Sequence, residues 1–110
     1  MDDKAVALAD DLVAFAELAK RLDRIGVGVD TLTLNYAVFG SWELEVNWGY
    51  EAVRFLFDGR DGSIETEVSP VQKLSRGRQW KKVEAKGVSG RYPEAFAYVE
   101  GFLKDRFGKL

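Results

Sequence analysis

The sequence predicts a two-layer α+β domain in which a four-stranded antiparallel meander sheet is covered on one face by an N-terminal and a C-terminal helix, in the order α-β-β-β-β-α. Apolar residues recur every three or four positions near both ends of the chain, as in amphipathic helices. Across residues 31–68 they recur at every second position, and glycine-containing turns separate four such segments. The length of 110 residues, with 46% hydrophobic side chains, suits one domain spanning 1–110.

The first helix is predicted to run from residue 2 or 3 to Ile25. Acidic residues lie in its first turns and basic residues in its last turns, which complements the helix dipole, and Gly26 is typical of a helix end. Asp10 and Asp11 are expected on its polar side. The inward stripe that the spacing predicts comprises Leu8, Leu12, Phe15, Ala19 and Leu22.

Four alternating segments follow, at residues 32–38, 42–48, 53–57 and 64–68. The alternation along these segments places Trp42 and Trp48 on the apolar face of the sheet, in the core beneath the helices. The sheet pattern ends near residue 69, and residues 70–91 show no clean period. A helical turn near residues 71–74 and an edge strand near residues 80–85 are both compatible with this segment.

The second helix is predicted to begin at Tyr92-Pro93-Glu94, because proline is favoured at the first helical position. Its apolar residues recur at helical spacing, and they are Phe96, Val99, Phe102 or Leu103, and Phe107. Each strand has only one apolar face, so both helices are expected on the same side of the sheet.

The chain contains no cysteine and no histidine. This composition excludes disulfides, thiolate metal sites and cysteine nucleophiles, and it removes the commonest general base and the commonest transition-metal ligand. We therefore expect a protein that is not an enzyme and needs no cofactor or metal. The acidic N-terminus and short apolar runs match neither a signal peptide nor a membrane span, which favours a cytoplasmic protein that does not bind membranes.

Charge is distributed unevenly along the chain. Residues 1–69 hold 14 acidic and 6 basic side chains, whereas residues 70–91 hold 7 basic side chains and one acidic side chain. Strand parity places five charged residues of the first region on the face opposite the helices, with two aspartates at an adjoining turn. These seven candidate partner-binding residues are Glu43, Glu45, Arg54, Glu65 and Glu67 on the strands, with Asp58 and Asp61 at the turn.

The pairing of these residues depends on two turns. A turn centred on residues 48–49 places Glu43 opposite Arg54. At the next hairpin, a tight turn on residues 59–60 places Arg54 opposite Glu65, and a loop two residues longer places it opposite Glu67. Every one of these registers keeps the charged groups on one face.

Two interpretations of this face remain open. It is either a solvated surface with cross-strand Glu–Arg pairs or a docking surface whose excess negative charge attracts a basic protein. Carboxylate catalysis is disfavoured, because an open face beside Arg54 does not provide the burial that raises the pKa of a catalytic acid. The spacing of Asp58 and Asp61 does not match a calcium-binding loop.

The basic segment has an alternative interpretation, because it mixes cations with an aromatic residue as single-strand nucleic-acid binders do. Its candidate contacts are Arg76, Arg78, Trp80, Lys81 and Lys82. A sequence pI of about 5.2 makes nucleic acid the less favoured partner. The other interpretation is that the segment folds against the acidic half of the same chain.

The stretches 39–48 and 53–59, FGSWELEVNW and VRFLFDG, resemble small bacterial immunity proteins, which neutralise a cognate toxin. The resemblance implies a compact sheet whose acidic outer face binds a basic toxin domain and blocks its active site. It covers about residues 31–68 and transfers no specific contact. Either a monomer or a homodimer formed through an exposed sheet edge is compatible with the sequence.

Overall fold

A computed structural model describes residues 3–35, 41–49, 51–70, 79–88 and 94–107, with the side chains of the first helix described from residue 9 onward. Its elements are α1 (Asp3–Arg24), β1 (Gly28–Asn35), β2 (Ser41–Asn47), β3 (Glu51–Asp58), β4 (Ser63–Pro70), β5 (Lys81–Gly87) and α2 (Glu94–Phe107). The strands form one antiparallel sheet in the order β1-β2-β3-β4-β5. The α+β class with an antiparallel meander is therefore confirmed.

The sheet has five strands, so the prediction of four is wrong by one. The additional strand, β5, pairs with β4 and is the edge strand that the sequence allowed near residues 80–85 but did not count in the sheet. All seven of its residues are exposed, so its sequence shows no alternation of buried and exposed positions. Hydrophobic periodicity cannot reveal a strand that is held mainly by backbone hydrogen bonds at the edge of a sheet.

Both helices pack on the same face of the sheet, as predicted. The ring of Trp42 on β2 lies 5.2 Å from that of Phe15 on α1 and 6.1 Å from that of Phe96 on α2, centroid to centroid. The rings of Phe15 and Phe96 also contact each other, at 4.6 Å. Trp48 is only partly buried, and its ring stacks on Phe107 near the end of α2. The core therefore lies between one sheet face and two helices.

The inward face of α1 differs from the predicted stripe. Leu12 is 48% exposed, whereas Leu18 and Leu22 are 1% exposed, and Asp11 is buried rather than on the polar side. Apolar residues occupy so much of this helix that their spacing fits more than one rotation about its axis. Packing against the sheet selects the rotation that buries Phe15, Leu18 and Leu22.

Helix α1 ends in a Schellman motif, which directs the chain into β1. The N–H of Gly26 donates to the carbonyl of Asp23, and the N–H of Val27 donates to that of Leu22, both at 3.0 Å. Gly26 has φ of 83°, a left-handed conformation that favours glycine. Val27 and Leu22 are both buried in the core, so the motif ties the helix end to the sheet.

The inward stripe of α2 agrees with the prediction and selects Leu103 over Phe102. Its buried residues are Ala95, Phe96, Val99, Leu103 and Phe107. At the opposite edge of the stripe, Tyr98 donates a hydrogen bond to Glu84 of β5 at 2.6 Å and contacts the Thr66 hydroxyl of β4 at 2.7 Å. Neither described helix is both long and apolar enough to cross a membrane.

We expect the rotation of α1 to be visible in the free energy of unfolding of two matched variants. Leu22→Ala removes a fully buried side chain and should destabilise the protein by about 2–5 kcal/mol. Leu12→Ala should cost about 1 kcal/mol or less, because half of that side chain already faces water. Urea unfolding of both variants at low protein concentration measures the difference. Equal losses would contradict the rotation described here.

We also expect the Tyr98 hydroxyl to lose its proton at a higher pH than a solvent-exposed tyrosine does. Burial and the hydrogen bond to Glu84 raise the pKa of Tyr98 to about 12. Because the neutral phenol is favoured in the folded state, the stabilisation is present below pH 10 and is lost as the pH rises from about 10 to about 12. The phenolate absorbance of the wild type minus that of Tyr98→Phe should therefore rise near pH 12 when folded. In urea the same difference should rise near pH 10, and identical midpoints would contradict the assignment.

Candidate functional site

The candidate partner-binding residues lie on the outer face of the sheet, which is the face turned away from the helices. On β2, Trp42, Leu44 and Val46 are buried beneath the helices, while Glu43 and Glu45 alternate with them and are partly exposed. The same alternation places Arg54 on β3 and Glu65 and Glu67 on β4 on this outer face. The outer face is therefore where most of the charge of the strands accumulates.

The hairpin between β2 and β3 has a different register from the predicted one. The hairpin between β3 and β4 has one of the two predicted registers. Glu45, and not Glu43, lies opposite Arg54, because the N–H of Trp48 donates to the carbonyl of Glu51, so Trp48 pairs across the hairpin instead of forming part of its turn. Gly49 has φ of 103°, which suits a tight turn at that position. In the next hairpin Arg54 lies opposite Glu67, so the longer loop, residues 59–62, is the one that forms.

One row of residues across the outer face is electrically balanced. Glu45, Arg54, Glu67 and Lys82 follow one another on β2, β3, β4 and β5. The Arg54 Nε donates to a Glu67 carboxylate oxygen at 2.8 Å, and its Nη2 contacts the same oxygen. The row carries two negative and two positive side chains, and the Lys82 ammonium also lies 3.0 Å from the carboxylate of Glu65, the next outward-facing glutamate of β4.

The chain that precedes β5 covers the end of the outer face nearest this row. The Trp80 ring lies 4.4 Å from the guanidinium carbon of Arg54, a cation–π distance. The backbone N–H of Gln79 donates to the Ser69 hydroxyl at 2.9 Å. Ser69 and Ala52 are on the outer face and yet fully buried. This end of the face is therefore closed to solvent, whereas the sequence predicted an open face.

The other end of the outer face forms an acidic groove of about 440 Å³. Four carboxylates line it, from Glu43, Asp58, Asp61 and Glu65, and none of the described residues that line it is a lysine or an arginine. Its polar uncharged lining residues are Thr33, Asn35, Ser41 and Ser63. Leu56 lies between Glu43 and Glu65 in the sheet and supplies an apolar side chain to the groove.

Hydrogen bonds fix the turn at residues 58–62, which forms one end of the acidic groove. The Asp58 carboxylate accepts from the N–H groups of Arg60 and Asp61, at 2.8 and 3.3 Å. The N–H of Gly62 donates to the Asp58 carbonyl at 2.8 Å, and the Gly59 N–H donates to the Ser41 hydroxyl at 2.9 Å. Asp58 thus holds the turn together, and Asp61 is exposed at the groove.

The described part of the basic segment engages the acidic half of the chain. Trp80 contacts Arg54 within the balanced row, and Lys82 lies 3.0 Å from the Glu65 carboxylate at the margin of the acidic groove. Lys81 is exposed on β5. Arg76 and Arg78 lie outside the described residues. These contacts favour the interpretation that the segment folds against the acidic half.

The uncharged residues that line the acidic groove were not among the predicted site residues. Strand parity alone places Thr33 and Ser41 on the outer face with Glu43, so that signal was available. The separation of the face into a balanced row and an acidic groove depends on the two hairpin registers. The sequence predicted the first one incorrectly and left two alternatives for the second. Among the described residues, no group of three or more acidic side chains is arranged to hold a metal ion.

The turn at residues 58–62 depends on glycine at position 62, and we expect a matched pair of variants to show this. Gly62 has φ of 65°, and an added Cβ would lie 3.2 Å from the carbonyl oxygen of Val88. Gly62→Ala should therefore destabilise the protein by about 1–2 kcal/mol. Gly101→Ala lies in α2 with open space around it and should stabilise by about 0.5–1 kcal/mol. Thermal unfolding of both variants measures the shifts, and a neutral Gly62→Ala would contradict the turn geometry.

Comparisons of the chain with models of protein families, with curated proteins and with solved structures returned no match. The resemblance to immunity proteins therefore stays a prediction from the sequence.

Proposed function

We propose that this protein is a non-enzymatic binding module that holds a basic surface of a partner protein in the acidic groove. One observation carries the proposal: four carboxylates line a single groove whose described lining residues include no lysine or arginine, and Lys82 at its margin pairs with only one of them, Glu65. Negative charge is thus concentrated in a concavity instead of being spread over the sheet. Concentrated charge of one sign attracts a partner of the opposite sign and speeds its association.

The uncharged residues of the acidic groove support the same partner chemistry. Lysine and arginine side chains have long aliphatic stems, which pack on apolar surface while the charged head contacts acceptors. Leu56 between Glu43 and Glu65 supplies that apolar surface. Hydroxyl oxygens of Ser41 and Ser63 provide further acceptors within the groove. An arginine or lysine side chain of the partner is therefore the group that best matches this lining.

Binding accounts for the acidic groove better than acid–base catalysis does. Glu43 and Glu65 are partly exposed, and Asp58 and Asp61 are exposed. A carboxylic acid that donates a proton near neutral pH needs an apolar, desolvated environment. Asp58 is also occupied by the two backbone N–H groups of its turn.

In its most specific form, the proposal is an immunity-type inhibitor. The acidic groove would cover cationic residues in the active site of a basic toxin domain and thereby exclude the substrate. The resemblance of residues 39–48 and 53–59 to immunity proteins supports this form, together with the sign of the groove's charge. The inhibited activity would return when the groove loses its charge.

The acidic groove can be tested with an arginine-rich peptide as the probe and isothermal titration calorimetry as the measurement. The double variant Glu43→Gln, Asp61→Asn removes two groove charges without touching the bonds that hold the turn. We expect it to weaken binding about tenfold, and we expect added salt to weaken wild-type binding because it screens these charges.

The matched control is Asp10→Asn, Glu17→Gln, which removes two exposed charges from α1. It should change the affinity less than about twofold, because the net charge is the same in both double variants but only one alters the groove. Equal weakening in the two double variants would show that net charge, and not the groove, determines binding. Affinity capture from the native cell with the wild type and the groove variant as baits then identifies the basic protein that only the wild type retains.

A further inference from the structure

The two edge strands of the sheet differ in how they are protected against pairing with another strand. Among the residues that the structure describes, no strand pairs with the outer side of β1 or of β5. Strand β5 carries three lysines, at residues 81, 82 and 86, and charged edges of this kind oppose edge-to-edge association. Residues 31–35 of β1 have the sequence TLTLN and carry no charge. The edge at β1 is therefore the one open to pairing.

A bulge in β1 adds an apolar side chain to this edge. The register shifts between Val29 and Thr31, so that Val29 lies opposite Val46 and Thr31 lies opposite Glu45. Val29 is consequently on the helical side of the sheet, although the parity of Thr31 and Thr33 alone would place it on the outer side. It nevertheless remains 38% exposed.

Helix α1 continues the apolar surface beside the edge. Leu12 is 48% exposed and Val13 is 61% exposed, and Ala16 is exposed next to them. Leu12, Ala16 and Val29 line a groove of about 250 Å³ between α1 and β1, and all of its described lining residues are apolar. Residues 31–35 of β1 and the exposed apolar residues of α1 thus form one surface, which we call the β1 edge surface. Asp30, at its margin, accepts a hydrogen bond from the Asn47 side chain of β2.

We propose that the β1 edge surface is a homodimer interface, in which β1 pairs antiparallel with β1 of a second copy about a two-fold axis. The two sheets would join into one of ten strands, and Leu12, Val13 and Val29 of the two copies would pack together on the helical side. Alternation in TLTLN supports a second copy as the occupant. Antiparallel self-pairing brings threonine beside threonine on one face and leucine beside leucine on the other.

Charge also favours a second copy at this edge. The chain has a formal net charge of −2, and the acidic groove of one copy repels that of another. Residues 31–35 offer a place where two copies meet without facing like charges. In the dimer, Glu43 and its counterpart are three strand spacings apart, about 14 Å, which exceeds a Debye length of about 8 Å at physiological salt. Both acidic grooves would stay accessible on the same side of the joined sheet.

Two matched edge variants test the proposal. Val29→Lys and Val83→Lys place the same charge on β1 and on β5, at valines that are 38% and 43% exposed. Sedimentation equilibrium up to about 100 µM should show the wild type and Val83→Lys as dimers, with the association constant of Val29→Lys reduced at least tenfold. Val13→Lys, on the exposed side of α1, should also weaken the dimer, so the test does not depend on one strand variant.

A cross-link then locates the interface. The chain has no cysteine, so a single introduced cysteine reports one position. A short bismaleimide should join two copies of Thr33→Cys and should not join two copies of Ala85→Cys, which is at the β5 edge. A monomeric wild type, equal dimerisation of the two valine variants, or cross-linking at residue 85 alone would each overturn the proposal.

Discussion

The aromatic contacts around Trp42 are the constraint on which the rest of the structure depends. Its ring meets Phe15 of α1, Phe96 of α2 and Phe57 of β3, so one side chain joins both helices to the sheet. Because both helices are held on one face, the alternate residues of every central strand must face outward. The location of the charged residues is therefore a consequence of how the aromatic residues pack.

The outer face has two parts with different chemistry, and two hairpin turns create them. Arg54 lies between Glu45 and Glu67, and Trp80 stacks on its guanidinium group, so this part is balanced and covered. Among the described residues, no lysine or arginine lines the acidic groove, and Lys82 reaches only Glu65, at its margin. A shift of two residues in either hairpin would keep every side chain on the same face but would move Arg54 beside different glutamates. The hairpin registers thus determine which charged side chains are neighbours on the outer face, without changing the fold.

The proposed dimer and the proposed binding function are compatible because the four carboxylates of the acidic groove come from β2, β3, β4 and the turn before β4, and not from β1. Dimerisation would use residues 31–35 of β1 and the exposed apolar residues of α1, whereas a basic partner would contact those carboxylates. Thr33 belongs to β1 and lines the acidic groove, so a joined sheet would connect the two grooves through a continuous backbone. Two grooves on one face would allow a dimer to bind two basic sites with increased avidity.

Local periodicity and turn residues suffice to predict the α+β class, the ends of both helices, the burial of Trp42 and the face that Glu43 and Arg54 share. Three further features depend on long-range packing and pairing. The rotation of α1 depends on which apolar residues the sheet accepts, and it exposes Leu12. Strand β5 is exposed throughout, so backbone pairing and not apolar periodicity defines it. The hairpin registers were decided by the lengths of the turns, which concentrate the unbalanced carboxylates in one groove.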